Sequence, residues 1–381
     1  MIRRIAILVL VAAATAPAQR VMRPPATDDR IAVAERRLKQ APSDPAALDD
    51  LAGAYLQKMR ETADGSYLER VSRLVAASLK SDPSNYAALR RQVEVEMQRH
   101  HFKQAVALTE TLTKQRPDDA MVWGLRGDAY MELGQYDAAE TAYQRMADLR
   151  PGLASYNRIG FFRFITGDAE GAIQIMRKGI GIGGAPENLA WCLADLGNML
   201  FKTGAIGDAE IAYREALAQW ASYHHALAGL GRVQASRGQY EDAIRMLLKA
   251  QAQAPFPEYA GMLAKLYRRI GKVDLAEKQI AMLDVADKLD QAAGEAANRN
   301  LSLAYSDLEH RTARALELAK AELDVRRDVY SYDALAWALF KNRKMDEAAT
   351  AIERALAYKT PEPSFHEHAD LIYAAVKRGK Q

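Results

Sequence analysis

The stretch most suggestive of chemistry is FHEHAD near the C-terminus, which contains His366, His368 and Asp370. Imidazole and carboxylate groups are common ligands of Zn²⁺, so the composition alone fits a metal site. On a helix, however, residues two apart point to different faces, and the two imidazoles could not converge on one ion. We therefore expect a polar patch on a helix and no bound metal.

A second candidate is the glycine-rich run GIGIGG at 179–184, which superficially suggests a phosphate-binding loop. It follows a predicted helix rather than a strand and has no downstream Lys-Ser or Lys-Thr pair, both of which a phosphate loop requires. We expect an ordinary loop that absorbs extra residues. The sequence also contains no G-x-S-x-G, H-E-x-x-H or paired C-x-x-C motif. We therefore predict no catalytic residue, no cofactor and no enzymatic activity.

The single cysteine, Cys192, excludes an intramolecular disulfide. It follows Trp191 inside an apparently helical stretch, where a buried and unreactive thiol is the expected state. The fold must then be stabilised by packing alone.

The N-terminal residues 1–18 have the layout of a secretory signal peptide. Arg3 and Arg4 precede an apolar run, and Ala16-Pro17-Ala18 offers a cleavage site before Gln19. An uncleaved membrane anchor is the alternative, although the run is short for a bilayer span. Residues 19–29 are predicted to form a flexible leader. We expect an exported, periplasmic or secreted protein with no membrane span in the mature chain.

Charge argues against nucleic acid as a partner. The chain has 52 basic and 49 acidic residues, so loss of Arg3 and Arg4 with the signal peptide would lower its formal net charge from +3 to about +1. Binding to a phosphate backbone depends on clustered positive charge. We expect a protein partner instead.

The elements that position these residues are set by an internal repeat. Around Gly134 the helical period of 3.6 places large and small residues at regular intervals. Small residues permit two antiparallel helices to approach where they cross, and large ones fill the surrounding space. Gly134 suits a left-handed turn between the helices, and Pro151 cannot continue the second helix. The positions of this copy are Trp123, Gly127, Tyr130, Gly134, Ala139, Tyr143 and Pro151.

The same template recurs along the chain. Its turn glycines are spaced by 33 to 37 residues, and two further copies carry His100 and Arg343 in place of the glycine. The matching positions are Gly160, Gly167 and Ala172, then Gly197, Gly204 and Ala209, then Gly231, Gly238 and Ala243, then Gly271 and Ala276, and finally Ala348.

These residues resemble the tetratricopeptide repeat, a helix–turn–helix unit of 34 residues. The resemblance covers roughly 45–362 and implies an all-α, right-handed solenoid of about nine helix pairs, forming one domain over 30–381. Capping helices are expected at 30–41 and 363–377. The best repeats are 86–119, 120–152, 153–189, 190–223, 224–256, 257–290 and 329–362, and the degenerate ones are 45–84 and 291–328.

The resemblance also implies a concave binding surface lined by the first helix of each pair. Aromatic residues at groove positions suggest an apolar peptide or helix as the ligand, with Asn157 and Asn198 bonding its backbone. The alternative is that the aromatic rings pack between repeats. A carboxylate clamp, known in this family, is disfavoured because Ala194 and Arg232 stand where it needs Lys and Asn. The implied contact residues are Asn157, Phe161, Phe164, Trp191, Asn198, Phe201, Arg232, Trp337 and Phe340.

The sequence therefore predicts an exported interaction scaffold that binds an extended or helical segment of another protein. A carrier of small apolar molecules or lipids is the alternative function. An open groove would favour the scaffold, and a deep closed pocket among Phe161, Phe164, Trp191 and Phe201 would favour the carrier. Partner identity and oligomeric state have no signal in the sequence.

Overall fold

The computed structural model describes residues 26–379, which form 20 α-helices and no β-strand. The predicted signal peptide and most of the leader lie outside the described residues. The helices are α1 (Thr27–Gln40), α2 (Pro45–Thr62), α3 (Ser66–Ser81), α4 (Tyr86–Gln98), α5 (Phe102–Gln115), α6 (Ala120–Glu132), α7 (Tyr136–Leu149), α8 (Leu153–Ile165), α9 (Ala169–Ile182), α10 (Pro186–Lys202), α11 (Ile206–Gln219), α12 (His224–Ser236), α13 (Tyr240–Gln253), α14 (Pro257–Arg269), α15 (Val273–Ala292), α16 (Arg299–Leu308), α17 (Thr312–Val325), α18 (Val329–Lys341), α19 (Met345–Leu356) and α20 (Pro363–Gly379).

Helices α2 to α19 form nine antiparallel pairs, flanked by α1 and α20. We call the even-numbered member of each pair the first helix and the odd-numbered member the second helix. Each pair packs internally and against the next pair, and the buried apolar residues form five clusters along the stack. Small residues lie where helices cross: a methyl group added at Gly160 would stand 3.3 Å from the Ala172 carbonyl oxygen, and Ala139 is fully buried. The predicted all-α solenoid is confirmed.

The turn inside each pair uses a left-handed residue, and the turn between α16 and α17 uses two, Glu309 and Arg311. Gly134 has a φ of +69°, and the two residues that replace the glycine, His100 and Arg343, both have a φ of +60°. A left-handed backbone is strained for a residue with a side chain. The left-handed turn therefore forms even where another residue replaces glycine.

One local prediction about a helix end is wrong. The GIGIGG run was expected to be a loop, but α9 continues to Ile182. Gly179 permits this because it brings α9 close to α8: a methyl group there would stand 3.0 Å from Cβ of Tyr156.

The degenerate segment 291–328 contains the α16–α17 pair. Polar contacts join this pair to the long helix α15. Asp284 accepts hydrogen bonds from Tyr305 and Arg311, and Arg314 donates to the fully buried Asp287 at 2.9 Å. Charge thus supplements packing at this junction.

The solenoid closes on itself. The loop 326–328 and the segment 358–360 meet the turns that follow α6 and α8, nearly 200 residues earlier. Arg326 Nε lies 2.6 Å from Glu132 Oε2, and the Val329 amide donates to the Tyr136 hydroxyl at 3.1 Å. Thr360 Oγ1 donates to the Ile165 carbonyl at 2.6 Å. We call this set of interactions the closing contact.

Candidate functional site

The concave face encloses a cavity of about 690 Å³, which we call the central cavity. Seven successive first helices, α6 to α18, contribute to its wall, and the start of α20 completes it. Its lining residues are Met131, Glu132, Tyr136, Phe161, Ile165, Asn198, Phe201, Lys202, Arg232, Glu258, Gly261, Met262, Lys265, Arg299, Asn300, Leu303, Ala304, Asp307, Asp328, Val329, Tyr330, Asp333, Glu362, Pro363, Ser364 and Glu367.

Part of the wall is a row at one repeat position. Phe161, Asn198, Arg232 and Lys265 each stand six residues before a turn glycine, on α8, α10, α12 and α14. Equal positions in stacked pairs face the same side, so these four residues line one stripe of the cavity. Phe161 is 41% exposed, and Phe201 lies one helical turn beyond Asn198.

The basic side chains of the cavity are all engaged by acidic ones. Lys202 Nζ lies 2.6 Å from Glu362 and donates to the Tyr330 hydroxyl at 3.1 Å. Burial alone would lower the pKa of Lys202, but Tyr330 and Glu362 outweigh it and raise that pKa above its ordinary value. The other pairs are Arg299 with Asp328 at 2.8 Å, Lys265 with Asp307 at 2.8 Å and Arg232 with Glu258 at 3.4 Å.

Arg232 is held by a network rather than by one partner. Its Nη2 donates to Asn198 Oδ1 at 2.5 Å, and that same oxygen accepts from the Tyr213 hydroxyl at 2.8 Å. Asn198 was predicted to bond a ligand backbone. Its carbonyl oxygen is used inside the chain, which leaves the amide nitrogen for a ligand.

Asn157 is also engaged internally. Its Nδ2 donates to Asp195 Oδ2 at 3.1 Å, and Asn157 does not line the central cavity. Burial raises the pKa of Asp195 to about 6, although Asn157 and Trp191 act in the opposite direction. The neighbouring Cys192 is buried, and burial raises the pKa of its thiol. Such a thiol stays protonated and unreactive.

Two of the implied groove aromatics do not face the cavity. Phe164 is only 2% exposed and packs into the core with residues of α9 and α10, so its assignment as a contact residue is wrong. Trp191 is 43% exposed but lies outside the lining, where its ring meets His225 edge-on with centroids 5.9 Å apart. The side chain three residues before the turn in α8 thus turns into the core, whereas Phe201 at the same position of α10 lines the cavity.

The C-terminal aromatics are covered by α20. Trp337 is 6% exposed, stacks on His368 with centroids 4.0 Å apart, and donates its indole N–H to Asp307 at 2.8 Å. Phe340 stacks on Trp337 from the other side of the cluster, at 5.1 Å. Trp337 is buried and absent from the cavity lining, so its assignment as a groove contact is wrong. Phe340 is half-buried and also absent from the lining, and its assignment stays a prediction. His368 also bonds Asp333 at 2.8 Å, which is why α20 seals this end.

Sequence reasoning missed several cavity residues. Lys265 had a usable signal, because it occupies the row position before Gly271 that Asn198 and Arg232 occupy in their own pairs. Arg299 lies in a pair without the turn glycine, so no position could be assigned to it. Glu362 and Glu367 come to the cavity only because the solenoid closes, which no local pattern indicates.

In the range 26–379, no three His, Cys, Asp or Glu side chains are grouped as a metal centre requires. None of the helices in that range has the length and apolar character needed to cross a membrane. The central cavity combines eleven charged side chains with an apolar surface to which Phe161, Phe201 and Met262 contribute.

Comparisons with known proteins bear on the fold. The chain matches models described as "Tetratricopeptide repeat" at residues 90–154 and 200–266. No curated protein sequence matches it. Among solved structures, it resembles the APC/C hetero-tetramer Cut9–Hcn1, with 16% identity and a TM-score of 0.51 over 92% of this chain and 60% of that one. It also resembles a monomeric mutant of IFIT1 with Gppp-AAAA, with 15% identity and a TM-score of 0.55 over 85% of this chain and 75% of that one.

At these identities the two structures support the fold alone. The chain spans about 60% of the length of the first. Tetratricopeptide repeats generally mediate interactions between proteins, and the proteins that contain them are typically non-catalytic scaffolds. The two matched segments show that the chain contains tetratricopeptide repeats, and the nine stacked helix pairs support its membership of the tetratricopeptide-repeat family.

Proposed function

We propose that this protein is an exported, non-enzymatic interaction scaffold that holds a polar segment of a partner protein in its central cavity. The observation that carries the proposal is the convergence of seven first helices on one cavity of about 690 Å³. Cavities of this size bury ligands of a few hundred daltons or a short stretch of chain. The cavity is thus the surface from which most repeats can contribute to one ligand.

The charged groups of the lining favour a segment that carries charges of its own. Eleven lining residues are charged, seven of them acidic and four basic. A wholly apolar ligand would remove these groups from water without replacing their hydrogen bonds, which is costly. The closed pocket of four aromatic residues that would favour a carrier of apolar molecules is not formed, because Phe164 is buried and Trp191 lies outside the lining. The original expectation of an apolar peptide is revised accordingly, with Phe161 and Phe201 as part of an apolar surface that can anchor apolar side chains.

The energetics require contacts from several repeats. Full burial of one aromatic ring contributes roughly 1.5–3 kcal/mol, whereas association costs about 4–15 kcal/mol. Two rings alone therefore cannot hold a partner. Ion pairs such as Lys265 with Asp307, on the cavity wall, must exchange with charges of the incoming segment.

The location and the kind of partner rest on the sequence. The signal-like residues 1–18 support export, and the nearly neutral charge of the remaining chain supports a protein rather than a nucleic acid as partner. Cell fractionation tests export, and N-terminal sequencing of the recovered protein should begin at Gln19.

Site-specific photocrosslinking tests the binding site. A benzophenone amino acid replaces Phe161 in the cavity in one variant and Ile211, which is 55% exposed on a second helix, in the matched control. After irradiation in cells, mass spectrometry should map adducts of the Phe161 variant to one segment of one protein, with none from the control. Equal adducts from both positions, or none from Phe161, would contradict the proposed site.

A further inference from the structure

The closing contact is built around a cluster of partly buried charges. Three carboxylates, Glu132, Glu322 and Asp328, meet two guanidinium groups, Arg299 and Arg326. Glu322 is completely buried, and its Oε2 has no hydrogen-bond partner among the described residues. Ion pairs removed from water contribute little net stability, because desolvation offsets their attraction.

The remainder of the closing contact involves turns rather than helix faces. Tyr136 meets Tyr358 edge-on, with ring centroids 4.5 Å apart. A methyl group added at Gly134 would stand 2.3 Å from the Arg327 carbonyl oxygen, and one at Gly167 would stand 2.7 Å from that of Tyr358. Among the described helices, none of α6 to α9 packs along any of α17 to α20. Backbone approaches backbone at these two glycines, and apolar side chains, among them Tyr136, Ile165 and Val329, add a buried cluster that both sides share.

The closing contact also forms part of the cavity wall. Glu132, Tyr136, Arg299, Asp328 and Val329 take part in the contact or its charge cluster, and all five line the central cavity. Separation of the two edges would therefore open the cavity from the side. No single hinge is needed, because a small change in the rotation between successive pairs adds up along a solenoid.

We infer that the closing contact is a gate: the last two helix pairs and α20 separate from the turns after α6 and α8 while every pair stays folded, and this opening admits a chain segment laterally into the central cavity. Interfaces within a chain permit relative motion of the parts they join unless they are large and hydrophobic, and no helix face of α6 to α9 packs along α17 to α20 among the described helices. Opening of the closing contact does not depend on the proposed partner protein, so the gate can be tested in the absence of a partner.

A cavity thiol reports the opening. Asn300→Cys places a thiol in the lining, and the unsubstituted chain, whose only cysteine is the buried Cys192, gives the background rate. Glu132→Ala with Arg326→Ala removes both partners of one ion pair in the contact. The matched control, Asp242→Ala with Arg245→Ala, removes an exposed pair of α13. Labelling by a maleimide on a 5-kDa polyethylene glycol should be at least about tenfold faster in the contact variant than in the control. Equal rates would overturn the gate.

Hydrogen exchange on the unsubstituted chain keeps the inference testable if the contact variant does not fold. The amides of Arg327 and Val329 donate to the Glu132 carbonyl and the Tyr136 hydroxyl across the contact. They should exchange at least about tenfold faster than the slowest amides of α10 to α13, because opening precedes global unfolding. Exchange as slow as that of those core amides would show that the contact breaks only on unfolding, which would also overturn the gate.

Discussion

The ring of Tyr143 lies flat against the backbone of Gly127, so that a methyl group added at Gly127 would stand 2.3 Å from Cε1 of the ring. The Tyr143 hydroxyl then donates to Asp128 at 2.8 Å, and Arg158 of the next pair bonds the same carboxylate. The arrangement returns two pairs later, where Tyr213 packs on Gly197 and bonds Asn198 together with Arg232. The repeat position of Tyr143 and Tyr213 thus provides both close packing within a pair and a polar link to the next pair.

Gly127→Ala should lower the free energy of unfolding by about 1–3 kcal/mol, because the added methyl group overpacks the ring contact. Gly207→Ala is the matched control, since Gly207 is helical and no heavy atom lies within 4 Å of its added methyl. It should raise stability by about 0.5–1 kcal/mol through helix propensity. Denaturant unfolding of the two variants measures both effects. Equal destabilisation by the two would show that the ring contact is not tight.

Arg343→Gly should stabilise the protein by about 0.5–1 kcal/mol. The left-handed backbone of Arg343 costs about 1–2 kcal/mol, and the greater entropy of glycine in the unfolded chain offsets part of the gain. Gly204→Ala, at a turn with the same backbone and open space around it, should destabilise. Thermal melts of both variants test the sign, and a loss of stability in Arg343→Gly would contradict the assigned turn.

Asp195→Asn should stabilise the protein at pH 7 and lose this advantage at pH 4. Burial raises the folded-state pKa of Asp195 to about 6, above the ordinary value of 3.8. The folded state therefore binds the proton more tightly, and the carboxylate lowers stability progressively as the pH rises from about 4 to about 6. The gain at pH 7 should be about 1–3 kcal/mol. Urea unfolding at pH 4, 5, 6 and 7 measures it, and a constant difference across that range would rule out the titration of Asp195 as its cause.

Phe161→Ala combined with Phe201→Ala should reduce crosslinking or capture of the partner at least about tenfold while costing little stability, because Phe161 is largely exposed and Phe201 is only half-buried. Phe164→Ala serves as the packing control. It should destabilise by about 3–5 kcal/mol, since that ring is buried in the core. If the double variant instead loses as much stability as the Phe164→Ala variant, the Phe161 and Phe201 rings belong to the core and not to the proposed binding surface.

The helix pairs were predictable because each is specified locally. The glycine and tyrosine positions around Gly134 predict where two helices cross. The same spacings predicted the helix crossings of the other pairs wherever a turn residue could be identified. The lining of the central cavity was predictable only where that register held, at Phe161, Asn198, Phe201 and Arg232. Lys265 follows from the same rule and could have been found.

The closing contact could not be predicted from the repeat. It depends on the sum of small rotations over several pairs, and it joins Glu132 to Arg326 across 194 positions of sequence. The burial of Trp337 beneath α20 has a similar origin, because it depends on where the end of the chain lies. Neither feature leaves a periodic pattern.

The row of Phe161, Asn198, Arg232 and Lys265 has a consequence for how recognition could be altered. In each pair some positions hold a neighbouring pair and others face the central cavity, and Asn198, Arg232 and Lys265 do both, because each bonds a residue of another pair. Phe161 forms no such bond, so its exchange should change the ligand preference at one position and leave the framework intact. Substitution of residues that only line the central cavity should therefore change its ligand preference one helix pair at a time.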